Sequence, residues 1–144
     1  MPLPPIPDTI LSTMKSHGLR DTQPRRFVIG AMMKRKSPAS AYDLQKLIIT
    51  SGETINTVTV YRILDTLAEL GLVHKEPTSG QYFLCSMPDT HGHHGFLHCD
   101  SCGKIEEFHN EDLCAVENKI AKAAGFTSKN HVSEISGICE TCKK

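Results

Sequence analysis

The clearest pattern along the chain lies at Val60, Ile63, Leu64, Leu67 and Leu70, which recur at i, i+3, i+4, i+7 and i+10. Such spacing predicts a helix with one apolar face. Asn56 or Thr57 opens it and Gly71 stops it. Three shorter helices are expected upstream. One runs from about Asp8 to Ser16 and ends at Gly18. The next covers Thr22 to Lys36, with Thr22 or Asp21 as cap, Pro24 in the first turn, and Phe27, Val28, Ala31 and Met32 inside. Ser40 caps the third, with Tyr42, Leu44, Leu47 and Ile48 inside. The proline-rich first seven residues are expected to fray. After the long stripe, "LVHKEPTSGQYFLC" reads as two short strands around Pro77–Gly80.

The pattern then changes. "GFLHC" and "KIEEF" read as strands around a C-x-x-C turn. Asn110 caps a helix whose apolar face is Leu113, Val116, Ile120 and Ala124, ended by Gly125. "HVSEISGIC" is a last strand, although it alternates poorly. The fold class is α+β. Three helices followed by a hairpin are the order of a winged helix-turn-helix, here with one extra helix in front. It occupies residues 1–85, and a smaller α/β unit occupies 86–144. Units this small need a staple such as a metal or a partner subunit.

The net charge of zero hides an asymmetry. Residues 1–85 carry 10 Lys and Arg against 7 Asp and Glu, whereas residues 86–144 carry 6 against 9. The basic first part permits a polyanionic partner without demanding one. No apolar run approaches the roughly 18 residues of a membrane span. "MPLPPIPDTI" has neither the basic start nor the apolar stretch of a secretory signal, so the expected location is the cytoplasm, with no membrane partner.

Four of the six cysteines form two C-x-x-C pairs, Cys99/Cys102 and Cys139/Cys142. Zinc takes four ligands in a tetrahedron, and two such turns close its shell. Two disulfides or inert thiols are the plain alternatives; the doubled motif in a chain without an export signal favours a structural zinc. His91, His93 and His94 are then left over, in a glycine-punctuated loop near Glu106 and Glu107. They suggest a second metal site. His98 reads as an ordinary strand residue, and His17 and His109 as solvated. His74 and Cys85 stand on paired strands; a thiolate, an imidazole and a carboxylate together suit Zn(II) better than Mg(II) or Mn(II). On the striped helix, Asn56, Thr57, Thr59, Arg62 and Thr66 lie off the apolar face, and Tyr61 beside them is suited to stacking or to a thymine methyl. A plain solvated face is the alternative. Arg20, Arg25, Arg26, Lys34 and Lys36 add candidates for phosphate contact.

"LRDTQPRR", "SAYDL", "TVTVYRILDTLAELGLVHK", "HCDSCGKIEEF" and "HVSEISGICETC" together resemble the ferric uptake regulator family over nearly the whole length. The resemblance implies a homodimeric, metal-dependent repressor binding double-stranded operator DNA, with residues 86–144 as its dimerisation domain. The family's iron sensors usually carry H-H-D-H before the first C-x-x-C; here the frame reads His93-His94-Gly95-Phe96. Its zinc sensors use a His and a Cys from the wing, and His74 and Cys85 match. The chain therefore resembles the zinc uptake regulators most, which implies at least two zinc ions per chain. One would be structural. The other, the sensing ion, would take His74, Cys85, His93 and Glu107, with His91 or His94 as alternates to His93. A further family site would use His131, but Cys114 stands at its helix position, with Glu111 one turn earlier.

A sensing ion held by both domains would favour one domain arrangement and set two recognition helices on adjacent half-sites. An iron or peroxide sensor of the same family is the nearest alternative. A zinc hydrolase or deaminase is weaker. No H-E-x-x-H is present, and His109-Asn110-Glu111 has no P-C-x-x-C after it. A thiol redox protein would need a βαβ setting for its C-x-x-C, which the pattern lacks.

Overall fold

The computed structural model describes residues 2–35, 37–77, 79–85, 93–128 and 131–144, with the backbone alone at His93, His94, His131 and Val132. Within it the chain divides into two compact units, Met1–Cys85 and Ser86–Lys144.

The first unit runs α1 (Asp8–Ser16), α2 (Gln23–Arg35), α3 (Ala41–Thr50), α4 (Thr57–Glu69), β1 (Val73–Lys75) and β2 (Tyr82–Leu84). Its core is built on α4, where Val60, Leu64 and Leu67 are fully buried and Ile63 nearly so. Asn56 caps the helix by accepting from Thr59 N at 2.8 Å, and Gly71 ends it with φ +77°. Ser40 caps α3 in a reciprocal pair with Asp43. That bond from the Ser40 backbone, then the Ser40 hydroxyl, holds the Asp43 carboxyl below its usual pKa. Leu44 and Ile48 are buried on α3, but Tyr42 is 65% exposed. The expectation of an inward Tyr42 fails because Ala41, Leu44 and Ile48 form the core-facing row, and Tyr42 lies off it.

Helix α2 buries Val28, Ile29, Gly30, Ala31 and Met32 in succession, so it is enclosed on more than one side. One cover was not expected. The proline-rich N-terminal arm packs down, with Ile6 in the core and Leu3 against α2. A Cβ on Gly30 would sit 3.2 Å from Leu3 Cβ and 3.4 Å from Pro4 O. The missing side chain is what admits the arm. Ala39 exchanges two backbone hydrogen bonds with Tyr82 (2.9 and 2.8 Å), adding a one-residue third rung to the β1–β2 hairpin.

The second unit contains β3 (His93–Cys99), β4 (Ile105–Phe108), α5 (Glu111–Ala123), β5 (His131–Gly137) and α6 (Glu140–Lys143). The sheet order is β4-β3-β5, with β3 antiparallel to β4 and parallel to β5. Asn110 caps α5 by accepting from Leu113 N at 3.0 Å. The sheet has little interior: among its described residues only Gly95, Phe96 and Cys99 are buried. Among the described residues, no helix is long and apolar enough to cross a membrane.

Gly95 pairs with Phe108, whose ring would lie 2.2–2.8 Å from a Cβ at that position. Gly95→Ala should therefore overpack the sheet and cost about 1–3 kcal/mol. Chemical denaturation reads this out, and adding Phe108→Leu should recover part of the loss.

Candidate metal centre and nucleic-acid interface

Two turns bring the four cysteines of the paired motifs together. The first joins β3 to β4: Cys99 N donates to Lys104 O and Gly103 N to Cys99 O, both at 2.9 Å, with Gly103 at φ +76°. The second opens α6, where Cys142 N donates to Cys139 O at 3.0 Å. Asp100 N to Gly137 O (2.8 Å) ties the first turn to the end of β5. As a result the sulfurs of Cys99, Cys102, Cys139 and Cys142 all lie within 4.8 Å of one another.

Cys102 Sγ and Cys139 Sγ are 3.8 Å apart. A disulfide requires about 2.05 Å. Four thiolates at the zinc–sulfur distance of about 2.3 Å stand about 3.8 Å apart along a tetrahedron edge. The residues fit a four-thiolate zinc. Backbone N–H groups are also in place for it: Cys139 N lies 3.3 Å from Cys99 Sγ. Backbone donors of Cys102 and Cys139 lower the Cys99 pKa to about 6. At Cys142 the Ser101 hydroxyl pulls down, but hydrogen bonds with Cys139 and Cys102 and burial outweigh it and push the pKa up to about 12.

The other candidate ligands are spread over both units. His74 is buried in β1, its ring 5.6 Å from that of Phe83. Cys85 follows β2 and donates its N–H to Leu72 O at 2.9 Å. His74 and Cys85 therefore sit diagonally on one face of the hairpin, and an imidazole nitrogen comes within 4.8 Å of the sulfur. Glu107 is half-buried in β4, opposite Phe96. His93 opens β3 in register with His131 of β5, and His94 follows it. His91 lies outside the described residues. His98 is a strand residue with Nδ1 3.4 Å from Asp100 Oδ1, and His17 and His109 are exposed. Burial, then Glu117 and Glu111, push the Cys114 thiol up, opposite to what a metal-bound thiolate needs.

On α4 the outward stripe is Val58, Tyr61, Arg62, Asp65 and Glu69, all exposed. Thr59 and Thr66 are half-buried at its flank, and the Thr66 hydroxyl donates to Arg62 O. Asn56 is exposed but spends its side-chain oxygen on the cap. Thr57 donates to Gln45 Oε1 at 2.5 Å, while Gln45 Nε2 donates to Ile55 O at 3.0 Å. Gln45, which the sequence reading passed over, thus fixes the turn between α3 and α4. Val58 was also missed, although its offset from Val60, Ile63 and Leu64 already placed it outside. Arg26 is held by Asp21 (2.6 and 2.5 Å), and Arg25 donates to Arg20 O. Lys36 lies outside the described residues.

Fold and site define a winged helix-turn-helix followed by an α/β unit whose four-cysteine cluster could hold a metal ion. The model of the ferric uptake regulator family matches residues 16–136. The ferric uptake regulation protein of Yersinia pestis is 36% identical over 132 residues, 89% of this chain and 86% of that protein. The zinc uptake regulation protein of Escherichia coli K12 is 35% identical over 126 residues, 86% of this chain and 73% of that protein. A solved zinc uptake regulator complexed with zinc and DNA superimposes with a TM-score of 0.84 at 31% identity, covering 94% of this chain and 91% of that one. The chain belongs to the ferric uptake regulator family.

Zinc can bind at Cys142 only after that thiol loses its proton. Zinc affinity of the four-cysteine site should thus fall by about tenfold or more per pH unit between pH 8 and 6, measured by competition with a chromophoric chelator. Cys102→Ser should lower the bound zinc by one ion per chain.

Proposed function

We propose that the protein is a zinc-responsive transcriptional repressor that binds promoter DNA as a zinc-loaded homodimer to control zinc uptake genes. It is a regulator and not an enzyme. Each chain takes at least two zinc ions. The structural ion sits on Cys99, Cys102, Cys139 and Cys142. The regulatory ion is taken by His74 and Cys85 with His93 and Glu107, and its binding shifts the population toward the DNA-competent form.

The observation that carries this reading is the pairing of His74 with Cys85 on one hairpin face. A thiol beside an imidazole is a borderline-soft pair that suits zinc. Leu72, just past α4, accepts the Cys85 N–H and donates to Leu67 O at 3.0 Å, so the hairpin is hydrogen-bonded to the end of the DNA-reading helix. The basic charge of residues 1–85 and the exposed Tyr61 and Arg62 support α4 as that helix. Support for the homodimer comes from Val116 and Ile120, both exposed on α5, with Phe126 and Ile135 nearby in sequence. Among the described residues, β5 is also an edge strand of its sheet.

An iron-responsive regulator is the second reading, favoured by the 36% identity to the Yersinia pestis ferric uptake regulation protein. Cys85 separates the two. Cys85→Ser should raise the free zinc needed for DNA binding by about tenfold or more, read by anisotropy with buffered zinc, while the structural zinc stays bound. A Cys85→Ser protein that responds to zinc like the wild type would remove the sensing role of this pair.

A further inference from the structure

The outward stripe of α4 changes character along its length. Val58, Tyr61 and Arg62 occupy the first two turns, and Asp65 and Glu69 follow on the same side. Two carboxylates facing DNA would meet its phosphates with like charge. Groove contact is therefore confined to the N-terminal part of the helix, where recognition helices read base edges. In that part Val58 is the one aliphatic side chain on the stripe, and it is 59% exposed.

Nothing in the first unit's core accounts for a valine there. The buried row of α4 is Val60, Ile63, Leu64 and Leu67. The position is also held firmly. Asn56 closes the cap on one side of it, and the Thr57–Gln45–Ile55 hydrogen bonds fix the incoming turn. A β-branched side chain has essentially one rotamer in a helix, so Val58 presents a stiff apolar knob. The apolar feature of the major groove is the thymine methyl group.

We propose that Val58 is a base-reading residue that packs on a thymine 5-methyl group in the major groove. The assignment rests on the DNA-binding reading above and adds a specificity determinant to it. Four residues of helix separate Val58 from Arg62, a rise of about 6 Å. That is about two base steps, so the thymine lies within about two base pairs of the base Arg62 contacts.

The test uses full-length zinc-loaded protein and a duplex it selects from a random-sequence library. Each thymine of that duplex is replaced in turn by deoxyuridine, which removes only the methyl group. Binding is measured for wild type and for Val58→Ala. Alanine is a better helix former at this exposed position, so the variant should fold. One thymine in each half-site should show about fourfold weaker wild-type binding on loss of its methyl, the worth of one buried carbon. Val58→Ala, which alters both protomers of the dimer, should bind the methylated duplex about sixteenfold more weakly and be indifferent to deoxyuridine at the coupled positions. If no thymine is coupled to Val58, the assignment is overturned while the repressor reading stands. If the zinc-loaded wild type selects no duplex at all, both readings fall together.

Discussion

Among its described residues the second unit buries little apolar surface, and four sulfurs meeting at one point tie its two ends together. Its described buried residues are Gly95, Phe96 and Cys99, too few to hold a three-stranded sheet and a helix. The cysteine cluster closes a loop of 36 residues between Cys102 and Cys139. It pins the turn after β3 to the start of α6, so β3 and β5 meet in parallel with α5 as the crossover. A metal in that cluster would do the work that a hydrophobic core does elsewhere, because its binding energy would be folding energy. The apolar surface left on α5 and β5 is the complement of that economy, since it is available to a second copy.

The first unit is organised the opposite way. Its core is continuous, from Met14 and Val28 through Leu44 and Leu64 to Val73. That packing fixes which side of α4 faces outward. The same packing makes the hairpin and α4 neighbours, hydrogen-bonded through Leu72. A ligand on His74 and Cys85 would act on the hairpin hydrogen-bonded to α4, the helix proposed to read DNA, without a long relay.

Much of this was legible in the sequence. The stripe from Val60 to Leu67 predicted α4 with its cap and stop, because helical periodicity and terminus chemistry are local. The two C-x-x-C pairs predicted the sulfur cluster, because their spacing is itself a ligand geometry. Other features needed three dimensions. Tyr42 falls in an apolar-looking run, yet only the row through Ala41, Leu44 and Ile48 meets the core. The proline-rich arm looked like a frayed end; its docking depends on Gly30, far along the chain, lacking a side chain. Gln45 is an unremarkable helix residue until its amide is seen bridging Thr57 and Ile55. Long-range contacts of this kind leave no periodic trace.

In the proposed function, zinc switches this protein onto DNA. The switch is tested most directly by fluorescence anisotropy on a duplex from its own promoter region, titrated with buffered free Zn(II) and, separately, Fe(II). Tight binding that appears at scarce free zinc, with Fe(II) ineffective at comparable free concentrations, is the predicted result. Activation by Fe(II) with no response to zinc would contradict it, and would mean that Cys85 is not a sensing ligand.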